Sequence, residues 1–227
     1  MHLGNTEMQT RIAGLLLLAS CWAFAAQAHA DTLYKNGPVN GICDIEGCTV
    51  DAWTINFGFS VTNSFTITSP STIQGFNFAV WLYPGDTLTS VDWAVGTCTF
   101  CSDIGNGTAS GASLSSSFMF TNTYGYDIWD VGVTGLNLHV SGGPPDAYWL
   151  TLQNAVVPSG DPVYWDENGG PSTAWTECIH DGQGCIPSES FNIVGTPDTG
   201  TTPEPSSIIL FGSGILGLAG ILRRRML

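Results

Sequence analysis

Residues 75–96, GFNFAVWLYPGDTLTSVDWAVG, decide the fold class of this chain. A turn signal separates two runs in which every second residue is apolar: Phe76, Phe78 and Val80, then Pro84-Gly85-Asp86, then Val91, Trp93 and Val95. A period of two residues is typical of a β-strand that buries one face. Proline and glycine between such runs favour a tight turn. The stretch therefore predicts two successive strands joined by a turn.

The same alternation continues on both sides of this stretch. Further runs are Trp53/Ile55/Phe57/Phe59, Phe118/Phe120, Leu136/Leu138/Val140, Tyr148/Leu150/Leu152 and Phe191/Ile193. Further turn signals are Ser69-Pro70, Gly105-Asn106-Gly107, Gly142-Gly143-Pro144-Pro145 and Asn168-Gly169-Gly170-Pro171. Many short strands without helices to bridge parallel ones predict an all-β, antiparallel β-sandwich over residues 31–195, with a jelly roll as the first choice.

Composition limits the partners of this domain. All acidic residues except Glu7 lie between positions 31 and 205, whereas Lys35 is the only basic residue in that interval. Such a surface repels phosphate backbones and anionic lipid, so it excludes nucleic-acid binding. The abundance of tryptophan, phenylalanine and aliphatic residues indicates a folded core and not a disordered acidic segment.

The first thirty residues resemble a secretory signal, with its apolar part as a helix. Arg11 precedes an apolar run that ends at Ala28-His29-Ala30, and small residues at these spacings predict cleavage before Asp31. Leu18-Ala19-Ser20-Cys21 also fits a lipobox, in which Cys21 would be lipidated. Cleavage before Asp31 is favoured because the apolar run continues past Cys21.

The C-terminal end carries a second targeting pattern. Residues 206–222 contain no charged residue, and as a helix they would span about 25 Å, the short limit for crossing a bilayer. Arg223, Arg224 and Arg225 follow directly and favour the cytoplasmic side. Before the helix, Pro203-Glu204-Pro205 favours an extended backbone that a protease can accept. The pattern predicts one transmembrane helix with the preceding domain outside the cytoplasm.

This order of elements, over residues 203–227, closely resembles the PEP-CTERM sorting signal of Gram-negative bacteria. The resemblance implies export, anchoring in the inner membrane through the helix, and cleavage by an intramembrane cysteine protease called exosortase. It also implies a final place at the cell surface or in an extracellular, exopolysaccharide-containing biofilm matrix. The domain itself, in particular residues 75–96 and 147–175, resembles exported jelly-roll modules that precede such tails. Residues 196–205 are expected to form a Thr/Pro/Gly linker.

Six cysteines remain after the signal, and they lie in three neighbouring pairs: Cys43 and Cys48, Cys98 and Cys101, Cys178 and Cys185. In an exported protein an even number of cysteines predicts disulfides. Pairing between neighbours is favoured because each pair brackets a turn-like stretch. A redox role for Cys98 and Cys101 is disfavoured, since the residues that follow break a helix and such a cysteine needs a helix N-terminus. The spacing of Cys178 and Cys185 does not favour zinc.

Catalytic patterns are sparse. His139 lies within a strand pattern and is expected to be half-buried and hydrogen-bonded, and His180 is expected in a surface loop. Asp161, Asp166 and Glu167 could supply the two carboxylates of a glycoside hydrolase or the oxygen ligands of calcium, and Asp127 with Asp130 is a second candidate pair for calcium. Neither set has a regular ligand spacing. The sequence therefore favours a non-enzymatic protein without a cofactor.

Exposed aromatic rings provide the alternative function. Sandwich modules bind sugars by stacking such rings on them, and Trp149, Trp165 and Trp175 are the candidates. Most tryptophans of a sandwich nevertheless belong to its core. Three hypotheses remain open: a structural protein of the cell surface or matrix, a carbohydrate-binding module that retains exopolysaccharide and, least favoured, a glycoside hydrolase built on Asp161, Asp166 or Glu167.

Overall fold

The computed structural model describes residues 30–41, 52–144, 148–178, 182–198 and 213–214. Within these ranges the chain is all-β, and two antiparallel sheets pack face to face. The predicted signal helix, the Pro203–Pro205 segment, the arginine cluster, Cys43, Cys48 and His180 lie outside the described residues. Ser213 and Gly214, inside the predicted membrane segment, are helical. Across the described part of the chain, no helix has the length and apolar character needed to span a membrane.

Sheet I contains eight strands. They are β1 (Asp31–Lys35), β2 (Ala52–Thr54), β4 (Ser71–Leu82), β7 (Leu114–Thr121), β8 (Asp127–Val140), β10 (Tyr164–Asn168), β13 (Ser188–Glu189) and β14 (Phe191–Pro197). β4 is its centre: it pairs with β8 along one edge, and with β14 and then β10 along the other.

Sheet II contains six strands in the order β12-β11-β3-β9-β5-β6. Their bounds are β3 (Phe59–Phe65), β5 (Ser90–Gly96), β6 (Gly105–Ser110), β9 (Tyr148–Val156), β11 (Ala174–Cys178) and β12 (Gly182–Ile186). A short 3₁₀ turn, Gly111–Ser113, leads from β6 into β7 and so from one sheet to the other.

The core fills the space between the sheets, as the alternation predicts. Phe76 of β4 contacts Trp93 of β5 with ring centroids 6.4 Å apart, and Phe65 of β3 contacts Phe191 of β14 at the same distance. Phe65, Phe76 and Phe191 are almost completely buried. Each such burial stabilises the fold by roughly 1.5–3 kcal/mol. The inner faces of both sheets are thus committed to packing, and only their outer faces remain for binding.

Two details of the prediction are wrong. The run Trp53 to Phe59 is not one strand, because residues 56–58 form a turn in which Phe57 has a φ of 56° and is 63% exposed. Gly105-Asn106-Gly107 is not a turn but the start of β6. There the two glycines lie opposite large side chains: a Cβ at Gly107 would come within 3.2 Å of the Trp93 ring. These glycines make room for packing.

The sandwich ends slightly later than predicted. β14 continues through Pro197, and the Asp198 amide donates a 2.7 Å hydrogen bond to the carbonyl of Pro70. The Asp198 carboxylate also accepts a 3.0 Å bond from Thr72. The first residues of the expected linker therefore belong to the folded domain.

Candidate functional site

A disulfide-closed loop overhangs the outer face of sheet II. Cys98 and Cys101 are bonded, with Cα atoms 5.2 Å apart, as the sequence predicted for this pair. The loop lies close against the sheet because Gly96 has no side chain: a Cβ there would come within 2.4 Å of the Cys101 carbonyl oxygen. The Asp103 carboxylate accepts bonds of 2.8 Å and 2.7 Å from the amide and hydroxyl of Thr97, and these bonds lower the pKa of Asp103.

The loop holds an aromatic ring in a strained backbone conformation. Phe100 has a φ of 59°, a left-handed conformation that costs a non-glycine residue roughly 1–2 kcal/mol. Glycine would adopt it without that cost. The Phe100 side chain lines a groove of about 410 Å³ on the outer face of sheet II. Strain of this kind often marks a functional position.

Strand register defines the floor of this groove. Successive residues of a strand point to opposite faces, so paired residues on one face form rows across the sheet. One row is Glu177, Ser60, Gln153, Asp92 and Thr108, and the next is Trp175, Thr62, Thr151, Ala94 and Asn106. Every member of the first row lines the groove, as do Thr151, Ala94 and Asn106 of the second. The floor thus combines residues from five strands.

Hydrogen bonds hold part of the floor rigid and leave part of it open. Asp92 accepts bonds from Thr108 at 2.5 Å and from Asn154 at 2.9 Å, and Ser60 donates to the Gln153 side-chain oxygen at 2.7 Å. By contrast, the Gln153 amide nitrogen and the side chains of Asn106 and Glu177 have no hydrogen-bond partner among the residues that the structure describes. These groups can donate to or accept from a ligand.

A second polar region is buried at the junction of β10 and β13 in sheet I. The Asp166 carboxylate is 0% exposed and accepts three bonds: 2.7 Å from the Trp81 indole, 2.8 Å from the Asn40 amide and 2.7 Å from the Gly41 amide. Burial raises the pKa of Asp166, and these hydrogen bonds oppose the rise. Asp166 therefore ties the segment after β1 to the sheet.

Glu189, in the same region, is buried without such partners. It is 0% exposed, and neither carboxylate oxygen has a hydrogen-bond partner within the described part of the chain. Burial raises its pKa well above the ordinary value, and the Glu167 and Asp166 carboxylates raise it further. Glu167 itself lies opposite Glu189 and accepts a 3.0 Å bond from the Trp53 indole.

The predicted carboxylate set does not form a common site. Asp166 and Glu167 are consecutive in β10 and so point to opposite faces of the strand, while Asp161 lies in the preceding loop. In the described part of the chain, no group of three or more His, Cys, Asp or Glu side chains has the geometry to hold a metal ion. Asp127 and Asp130 lie three residues apart in β8 and so point to opposite faces of the strand, and burial raises the pKa of Asp130.

The three candidate tryptophans divide between core and surface. Trp165 was a candidate for sugar stacking, but it is 0% exposed and donates to the Ser190 carbonyl at 2.9 Å, so it belongs to the core. Trp149 and Trp175 are partly exposed and lie on the outer face of sheet II. His139 is hydrogen-bonded, with 3.0 Å between its Nδ1 and the Thr72 hydroxyl, but it is exposed and not half-buried as predicted.

The hairpin of β11 and β12 bears on the third predicted disulfide. Cys178 lies opposite Gly182 and Cys185 lies opposite Trp175. The two cysteines are therefore offset by three residues along the hairpin. The Cys178–Cys185 disulfide stays a prediction.

Comparison with known families identifies the C-terminal segment. Residues 201–225 match the family model described as the PEP-CTERM protein-sorting motif. The chain is therefore a protein with a PEP-CTERM sorting signal, as its Pro-Glu-Pro, apolar and arginine segments predicted. A search of the curated proteins finds no match to the chain. The motif implies export and a membrane-anchored precursor that exosortase, itself a membrane protein, processes.

Proposed function

We propose that this protein is a non-enzymatic component of the cell surface or extracellular matrix, associated with exopolysaccharide and released from the inner membrane by an exosortase-type protease. The observation that carries the proposal is the sorting motif at residues 201–225, directly behind an acidic β-sandwich. An acidic surface keeps such a domain soluble and separate from anionic lipid after its release.

The contacts at the C-terminal end of the sandwich support release of the folded domain from its membrane segment without loss of any described strand. Asp198 is the last sandwich residue with described contacts, and it is anchored to Pro70 and Thr72. Cleavage near Pro203–Pro205 would remove the membrane segment and leave every described strand in place. The folded part would therefore keep its outer faces available outside the cell.

The same geometry gives a glycoside hydrolase little support. Such an enzyme needs two accessible carboxyl groups about 5 to 10 Å apart on either side of the scissile bond. Of the candidate residues, Asp166 is buried and already accepts three hydrogen bonds. A non-enzymatic role requires none of these groups to reach solvent.

The sorting role is tested by replacing Pro203, Glu204 and Pro205 with alanine and following the protein in fractions of the producing cells. The wild-type protein should be shortened and released, and the variant should stay full-length in the membrane fraction. A control variant changes the exposed residues Ser115, Ser116 and Ser117 to alanine and should behave like wild type. If the Pro203–Pro205 variant is cut and released like the control, the sorting role is wrong.

A further inference from the structure

The groove under Phe100 has the size and the open polar groups of a ligand site. Its volume of about 410 Å³ falls within the range of pockets that hold small ligands or a few units of a polymer. Gln153, Asn106 and Glu177 present unpaired donors and acceptors to it, whereas Asp92 and Ser60 fix the neighbouring side chains through their hydrogen bonds. The floor is thus preorganised and incompletely satisfied.

The strained loop above the groove also indicates a ligand site, independently of the polar groups on the floor. The disulfide, the Asp103–Thr97 bonds and the close contact at Gly96 all hold the loop above the sheet. A glycine at position 100 would remove the strain, yet the chain places a phenylalanine there, and this residue lines the groove. A ring at this position offers an apolar face across from hydroxyl- and amide-bearing side chains.

The charge of the residues that line the groove indicates which class of ligand it can bind. Among the residues that the structure describes, the only charged side chains that line the groove are the carboxylates of Asp92 and Glu177. Among the described residues the only lysine or arginine is Lys35, which lies in β1 of the other sheet. Anionic polymers such as uronic-acid or sulfated polysaccharides would be repelled. An uncharged sugar ring has apolar surfaces that fit against the Phe100 ring. It also has hydroxyl-rich surfaces that fit against the polar floor.

We propose that the outer face of sheet II binds an uncharged polysaccharide, with sugar rings lying between the Phe100 ring and the floor formed by Gln153, Asn106 and Glu177. The bound polysaccharide can extend from the groove toward Trp175 and Trp149, which lie on the same face of the sheet. The proposal deepens the proposed function, because it names how the exported sandwich would hold exopolysaccharide.

The test uses the full-length chain purified in neutral detergent, so that it does not depend on sorting. Electrophoresis is run in gels that contain a neutral β-1,3-glucan, β-1,4-glucan, mannan or galactan, the neutral exopolysaccharide fraction of the producing cells, or anionic alginate. At least one neutral polymer should retard the protein, and alginate should not. Absence of retardation by every neutral polymer, or equal retardation by alginate, would overturn the proposal.

Variants assign the binding to the groove. The Phe100→Gly and Gln153→Ala variants should each require at least a tenfold higher polymer concentration for the same retardation. Phe57→Gly is the matched control, since Phe57 is also a phenylalanine with positive φ, at 56°, but lies in another turn. Asn137→Ala, an exposed amide on β8 of sheet I, is the second control. Both controls should bind like wild type.

Thermal unfolding separates binding from folding. Phe100→Gly relieves backbone strain and should keep the unfolding temperature of wild type while it loses binding. Wild-type binding by both groove variants, or equal loss in Phe57→Gly, would overturn the assignment. A protein that binds glycan but is never cut at the tail would contradict only the sorting role. A protein that is cut at the tail but binds no glycan would contradict only the proposed binding in the groove.

Discussion

The buried carboxylates of sheet I and the open carboxylates of sheet II show opposite uses of the same chemical group. Asp166 and Glu189 are 0% exposed, whereas Asp92 and Glu177 line a groove that is open to solvent. Burial makes a carboxylate dependent on the donors that the fold supplies, and Asp166 receives three while Glu189 receives none. Stability should therefore depend on the first pair of carboxylates and binding on the second.

The largest effect on stability is expected from Asp166→Ala. The change leaves the Trp81 indole and the Asn40 and Gly41 amides without their acceptor inside the protein. Buried donors that lose their partner cost about 1–3 kcal/mol each, so the free energy of unfolding should fall by about 3–5 kcal/mol. Urea denaturation measures this change. Asp92→Ala, in the open region, serves as the control and should cost less than about 1 kcal/mol.

Glu189 should have the next largest effect, with the opposite sign. Replacing it by methionine removes two buried oxygen atoms without partners and should stabilise the protein by about 1–3 kcal/mol at pH 8. Urea denaturation in parallel with wild type tests this. A destabilised Glu189→Met variant would show that the carboxyl has a favourable role in the folded state.

The pH dependence of stability follows from the same residue. In the unfolded chain the pKa of a glutamate is about 4.3, whereas burial raises the pKa of Glu189 in the folded state. Between these two pKa values the folded protein holds a proton that the unfolded chain has lost, so this contribution to stability falls as the pH rises. Denaturation series from pH 5 to pH 8 should show a flatter profile for Glu189→Gln than for wild type. Parallel profiles would contradict this assignment.

The smallest effect on stability is expected from Glu177→Gln in the groove. Glu177 has no hydrogen-bond partner among the described residues, so the free energy of unfolding should change by less than about 0.5 kcal/mol. Retardation by the neutral polysaccharide should still weaken, because the carboxylate is an acceptor for sugar hydroxyls. A large loss of stability in this variant would remove the distinction between the two regions.

The sequence predicted the strands whose inner faces are regular. Phe76, Phe78 and Val80 lie in β4, and all three side chains are buried on its inner face, which accounts for the period of two that the sequence shows. Ala79 and Trp81 on the opposite face of β4 are buried as well. The run through Phe57 was misread, since two short strands and the turn between them happen to continue the same alternation. Periodicity alone does not reveal a backbone with positive φ.

The groove could not be predicted in the same way. Gln153, Asn106 and Glu177 lie far apart in sequence, and only the register of the strands between them brings them to one face. In the sequence each one resembles an ordinary surface residue of a strand. The sorting signal was predictable because all its parts are contiguous within residues 201–225.

Export and cleavage of the tail are tested together by intact-mass measurement of the protein that its producing cells release. The released polypeptide should begin at Asp31, end near Pro203–Pro205 and gain mass on reduction of the Cys98–Cys101 disulfide. A released polypeptide that still contains residues 1–30 and the terminal arginines, or full-length protein in the cytosol with none released, would contradict export and cleavage.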